Sequence, residues 1–188
     1  IAISATFVVT LGEIDLSFPS IVGITSLVFG LVLTATGGNF FIAFALASAL
    51  GMFAGLINGL LVTKIGIPSI VATIGTLYFW RGLVNVISQG SGVAIVDVAD
   101  GTWHHTIFVD KIFGKIPAQF IWFIVLTIIM QWIYRYHKFG NHIHFVGDNK
   151  ASSQMMGINV DNVKIIAFVQ LGFFSSLAGI FTMYEMLY

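Results

Sequence analysis

The stretch IIAFVQLGFFSSLAGIFTMY, residues 165–184, decides the fold. It is 20 residues long and carries no Asp, Glu, Lys or Arg, which is the length an α-helix needs to cross the hydrocarbon core of a bilayer. A transmembrane strand would instead alternate apolar with polar residues over about ten positions. This run does not alternate, so it reads as a helix. Residues 16–63, 65–80, 82–96 and 116–134 are equally free of charge. Across the chain, 57% of residues are hydrophobic and 9% are charged, and the mean hydropathy is +0.97. A soluble globule has about 25% charged residues; 8 cations and 8 anions in 188 residues fall far short of that. The same balance excludes a basic nucleic-acid surface, and the apolar content excludes disorder. The expectation is an all-α, polytopic transmembrane helix bundle bathed in membrane lipid.

The interruptions give the organisation. Residues 1–11 read as the tail of a helix, which GEIDLSFPS (12–20) breaks. Spans are expected over 20–35, 40–63, 68–87, 119–137 and 164–188, with polar loops over 88–118 and 138–163. Pro19, Pro68 and Pro117 each sit where a helix would begin, a position that tolerates the missing N–H. The chain starts without Met and stops in an apolar stretch at Tyr188, so it reads as one transmembrane domain, 1–188, with sequence missing at both ends. Arg135, Lys138, Lys150 and Lys164 flank or occupy loop 138–163, and Lys64 belongs to the same side; Lys111 and Lys115 lie in loop 88–118. Lys/Arg bias then predicts a cytoplasmic loop 138–163 and an external loop 88–118.

Three features stand out along the chain. Ala47, Gly51, Gly55 and Gly59 recur every fourth residue, a small face that lets two helix backbones approach closely. Asn58 flanks that face and suits either a hydrogen bond across helices or the lining of a path. Glu13 and Asp15 lie in the broken segment, where ionised groups need a partner or a wet cavity. Broken helices of this kind recur at transport sites. In loop 138–163, Asp148 or Asn149 is a good N-cap and Gly157 a good stop, so KASSQMM between them predicts a short helix outside the membrane. Asp161 or Asn162 would cap the last span, and Met155 and Met156 would offer flexible thioethers for docking.

Enzyme chemistry has little foothold. No G-x4-G-K-[ST] occurs, and Gly114-Lys115 lacks both the preceding glycine and the following hydroxyl. His142/His144 and His104/His105 lack the i,i+4 spacing of a zinc site, so no metal is expected, and no G-x-S-x-G is present.

Three ordered motifs carry a resemblance. Gly147-Asp148-Asn149, Ala151, Gly157-Ile158, Val160 and Val163-Lys164 resemble the cytoplasmic coupling loop of bacterial ABC permeases for ribose, xylose and related monosaccharides. GEIDLS (12–17) is similar to that family's Gly-Gly-Ile-Asp-Leu-Ser segment, and GLINGLLVTKIGIPSIVATIGTLYFWRGL (55–83) resembles its next block, in order and spacing. The resemblance implies the permease subunit of an importer in the bacterial cytoplasmic membrane. It implies a second permease, identical or not, two ATPase subunits on the coupling loops, and an extracytoplasmic sugar-binding protein. ATP and Mg would act on the ATPase, and this chain would bind no cofactor. Gly147, Asn149, Ala151, Ser152, Met156 and Gly157 would couple to the ATPase, while Glu13, Asp15, Ser17 and Asn58 would lie at the translocation path. Sugar hydroxyls call for hydrogen-bonding groups such as Asn58, Thr25 and Ser17. ATP-driven closure would push on helix 149–156, and the face through Gly51, Gly55 and Gly59 would carry the load to the broken segment. The sequence departs from the family at Glu13, where a second glycine is usual, and at Ser152-Ser153-Gln154. The rival reading is a secondary transporter or cation channel using Glu13, Asp15 and Glu185 as an ion relay; a third is a membrane scaffold that transports nothing.

Overall fold

A computed structural model describes residues 1–112 and 116–186. Gly114-Lys115 and the terminal Tyr188 therefore lie outside the described residues. The chain folds as an all-α bundle: α1 (Ala2–Thr10), α2 (Phe18–Ala35), α3 (Phe40–Leu60), α4 (Ser69–Ser88), α5 (Val96–Ala99), α6 (Trp103–Phe108), α7 (Ala118–Tyr136), α8 (Lys138–Asp148), α9 (Lys150–Met155) and α10 (Val160–Met186). One turn of π-helix, Leu61–Ile65, extends α3. The only pairing of extended residues described is a two-residue antiparallel match, Lys111–Ile112 with Ile116–Pro117. Among the described residues, five helical segments are long and apolar enough to cross a membrane: Phe18–Ala35, Phe40–Ile65, Ser69–Ser88, Ala118–Tyr136 and Val160–Met186.

The bundle is built around α10, which packs most extensively on α3 and then on α2. Small residues explain the α3–α10 seam. A Cβ on Gly51 would come within 2.5 Å of the Gly172 carbonyl, and one on Gly59 within 2.9 Å of the Ile165 Cα. Gly55 would collide with the Phe168 carbonyl, and Gly172 with that of Gly51. Lipid offers no hydrophobic drive for helix association, so close van der Waals contact holds such a seam together. Three apolar clusters are stacked along the bundle. Phe7, Val8, Ile143, Val146 and Phe168 pack at the start of α10. Ile21, Ile24, Ala54 and Trp80 form the middle cluster, and Phe29, Leu33, Phe40, Ile95 and Tyr184 pack at the far end of α10.

With 27 residues, α10 is about 40 Å long, so its two ends lie on opposite sides of the bundle. Lys64 and Asp161 form an ion pair at 2.7 Å beside its first turn. His104 of α6 lies against Tyr184 in its last turns. Loops 88–118 and 138–163 thus occupy opposite ends.

Both loops hold more structure than their composition suggests. Loop 88–118 contains α5 and α6. Loop 138–163 contains two helices where one was expected, because Gly140, Ile143 and Val146 form a narrow apolar stripe that buries α8 against its neighbours. The His137 ring accepts from Phe139 N at 3.2 Å and caps that helix. The last span starts at Val160, four residues earlier than expected, and its cap is Asn159: the side-chain oxygen accepts from Asn162 N at 3.0 Å. Asp161 and Asn162 are already inside the helix.

Candidate functional site in the broken helix and the facing loop

The chain leaves the helical path between Leu11 and Ser17. Unwound backbone inside a membrane bundle needs partners for its N–H groups, and α4 supplies them. Ile14 N donates to Ser69 Oγ and Leu16 N donates to Thr73 Oγ1, both at 3.1 Å. Thr73 in turn donates to the Ser69 carbonyl at 2.7 Å.

Behind this backbone lies a closed polar cluster. Asp15 Oδ1 accepts from Ser17 N at 2.7 Å and from Ser17 Oγ at 2.6 Å. Asn58 Nδ2 donates to Ser17 Oγ at 2.7 Å and to Asp15 Oδ2 at 3.2 Å. Thr76 Oγ1 donates to Asn58 Oδ1 at 2.7 Å. Asp15, Ser17, Asn58 and Thr76 are all buried. Three of the four path candidates, Asp15, Ser17 and Asn58, therefore come together. Glu13 does not join them: it pairs with Lys164 near the start of α10, with both side chains almost fully covered. Thr25 donates back to the Ile21 carbonyl at 2.7 Å and is buried. Thr76, Thr73 and Ser69 complete the site and escaped the sequence reading. Their spacing along α4 (69, 73, 76) places three hydroxyls on one helical face, a signal that was available.

Glu185 stands apart from Glu13 and Asp15. Glu185 lies 21 residues after Lys164 on α10, counted from 164 to 185, which is about 30 Å away from the Glu13 pair. Residues 165–184 between them hold no charge.

The candidate coupling residues surround α9. Asn149 caps it, its side chain accepting from Ser152 N at 3.0 Å. Ser153 is buried and donates to the Asn149 carbonyl at 2.9 Å. Gly157, with φ +79°, ends the segment in the left-handed region. Ala151 and Ser152 are exposed; Met155 and Met156 are 89% and 62% exposed. Gly147 has a different role nearby: a Cβ there would strike the Thr10 carbonyl, so it seats α8 on α1. A side-chain contact with Lys164, and its like charge, pull Lys150 below the usual lysine range. Lys150, Lys164, Glu13, Asp161 and Lys64 thus gather at this end, joining the broken segment, the loop and the turn after α3.

At the other end, His104 is 2% exposed, with Nδ1 2.7 Å from the Tyr184 hydroxyl. Its ring stacks on Phe40 at 5.3 Å. Burial, helped by His105, holds its pKa below the ordinary value.

The family described as "Branched-chain amino acid transport system / permease component" matches residues 1–186. The Autoinducer 2 import system permease protein LsrC of Photorhabdus luminescens is 34% identical over 181 residues, covering 96% of this chain and 53% of that protein. LsrC of Yersinia pseudotuberculosis serotype O:3 (strain YPIII) is also 34% identical over 181 residues, with 96% and 50% covered. The chain thus spans about half the length of the curated relatives it matches. No solved structure matches it. With its five candidate spans and this match along nearly its whole length, the chain is a multi-pass protein of the cytoplasmic membrane and belongs to the branched-chain amino acid transport system / permease component family.

Proposed function

We propose that the chain belongs to the membrane-spanning permease of an ATP-driven importer for a small, polar, uncharged solute of the monosaccharide type. The relatives are named for autoinducer 2 import, so that signal stands beside ribose and xylose as a candidate solute. ATP and Mg would act on partner ATPase subunits. A second permease and an extracytoplasmic binding protein would complete the assembly, with loop 138–163 cytoplasmic and loop 88–118 external.

The observation that carries this reading is α9. It is a short, doubly capped helix that presents Ala151, Ser152, Met155 and Met156 outward, and its flanks are tied into α8 and α10. A docking helix needs that combination of exposed contact residues and fixed ends. Force applied there would reach α3 through the Gly51–Gly55–Gly59 seam. It would reach the broken segment by a shorter route, the Lys164–Glu13 pair. Asp15, Ser17 and Asn58 would then shift against α4 at the translocation path. Bistable packing is enough for this, since an external protein would supply solute affinity. The secondary-transporter and channel readings are not favoured, because Glu185 stands at the end opposite Glu13 and Asp15.

The test uses the absence of cysteine from this chain. A single cysteine at Ser152 or Met156 should crosslink to a co-expressed ATPase subunit. An intact complex with no crosslink at any position from 149 to 157 would overturn the assignment. Uptake that survives ATP depletion and collapses with the proton gradient would favour the rival instead.

A further inference from the structure

We propose that the groove between α7 and α10 holds an anionic phospholipid, with an acyl chain along the helices and the headgroup at the elbow between α7 and α8. The inference stands independently of the importer reading. Helix α7 leans on α1, α6 and α8 rather than packing along α10, and only Ala118 and Met130 of its 19 residues are buried. The gap is a groove of about 700 Å³, walled by Leu126, Ile129 and Ile133 on one side and by Ile166, Phe173 and Phe174 on the other. From Leu126 to His137 it runs 11 residues, counted from 126 to 137, which is about 16 Å along a helix. That is close to half of the roughly 30 Å hydrocarbon core, the depth of one leaflet.

Three observations favour an anionic lipid over a protein segment. The first is charge. The elbow carries Arg135 and Lys138, both exposed, and neither forms an ion pair among the described residues. No Asp or Glu occurs from 111 to 147. Basic pockets beside membrane helices are where anionic headgroups bind. The Arg135 guanidinium lies 5.8 Å from the centre of the Tyr136 ring, a contact that uses its face and leaves its N–H edge for a phosphate. The second is the mouth of the groove. His137 lines it, and its Nδ1 accepts from Phe139 N at 3.2 Å, so the ring proton sits on Nε2 as a further donor. Trp132 and Tyr136 stand exposed beside it, as aromatic side chains do at headgroup level. The third is Gln170 in the α10 wall, one turn beyond Ile166. Its amide N–H reaches the Met130 sulfur at 3.9 Å, a weak acceptor. A lipid ester carbonyl would be a stronger one.

The test uses the full-length protein in vesicles of equal parts phosphatidylglycerol and phosphatidylcholine. After extraction and mild delipidation, native mass spectrometry should find phosphatidylglycerol retained over phosphatidylcholine by about tenfold or more. Phosphatidylglycerol with a diazirine in its acyl chain should form adducts in segments 126–139 and 166–174, and excess unlabelled phosphatidylglycerol should suppress them. The double variant Arg135→Gln/Lys138→Gln should cut both signals about tenfold, as expected for two cations beside a headgroup. Both side chains are exposed, so the variant should keep its unfolding midpoint. Equal retention of the two lipids overturns the proposal, as do adducts confined to other segments or a double variant that retains phosphatidylglycerol like the wild type. A photoreactive side chain at Ile129 that crosslinks to protein instead of lipid also overturns it, because another segment or a second permease then fills the groove.

Discussion

Asn58 is held on three sides. Its Nδ2 serves Ser17 and Asp15, and its Oδ1 receives Thr76. Removing the amide strands polar groups that are shut away from water, and each stranded group costs about 1–3 kcal/mol. Asn58→Ala should therefore lower the unfolding stability of the purified protein by about 2 kcal/mol or more. Asn58→Asp should cost more at neutral pH, because a second carboxylate would face Asp15, and part of that loss should return on acidification. A thermal unfolding series in detergent checks both, and equal midpoints for wild type and Asn58→Ala would contradict the assigned bonds. The sequence signalled Asn58 through its position in an apolar helix and Asp15 through its charge. Thr76 carried only its place beside Ser69 and Thr73 on one face of α4. A threonine in a membrane helix usually bonds back to its own backbone, as Thr63 does to Gly59 at 2.8 Å, so composition cannot tell the two uses apart.

At the scale of elements, the glycine face of α3 was legible because a four-residue spacing of small side chains has one physical use. Its partner was not legible, since a small face announces close approach without naming what approaches. The broken segment showed itself through its charges, but the α4 hydroxyls that receive its N–H groups lie 55 and 57 residues away in sequence. The helix α8 was missed for a related reason. KFGNHIHFVGD holds two glycines and two histidines, and its apolar stripe matters only once α1 is present to cover it. The α3–α10 seam makes a sharp prediction. Gly55→Ala drives a methyl into the Phe168 backbone, which cannot rotate away as a side chain would. It should destabilise the bundle by about 1–3 kcal/mol, the cost of overpacking. Gly75→Ala on α4 meets nothing within 4 Å, so it should be neutral or gain up to about 1 kcal/mol from helix propensity. Matched unfolding curves separate the two; a Gly55→Ala protein as stable as Gly75→Ala would mean that the seam is looser than described.

At the scale of the whole molecule, the two loop regions face opposite solvents, and the chemistry of each end yields the last prediction. The Lys/Arg bias predicts a cytoplasmic loop 138–163, so an impermeant thiol reagent added outside should label a cysteine at Thr106 and miss one at Ser152. Both positions are exposed, so a silent position reports sidedness rather than burial. The outer loop should also respond to pH. His104 is buried among Phe40, Tyr184 and Thr102, with His105 as the neighbouring titratable group. Its folded pKa is lowered from the ordinary 6.5. The unfolded loop therefore binds the proton more readily than the folded one. The packing energy is fully present above pH 6.5 and is lost as the pH falls below it toward the folded value. Labelling at Thr106 should accordingly speed up between pH 7.5 and about 5.5, as α6 loosens from Phe40 and Tyr184. A His104→Gln variant keeps hydrogen-bonding capacity and cannot titrate in this range, so its labelling rate should stay flat. A wild-type rate that is equally flat would show that α6 is held by its aromatic contacts alone, and labelling of Ser152 from outside would reverse the orientation of the entire bundle.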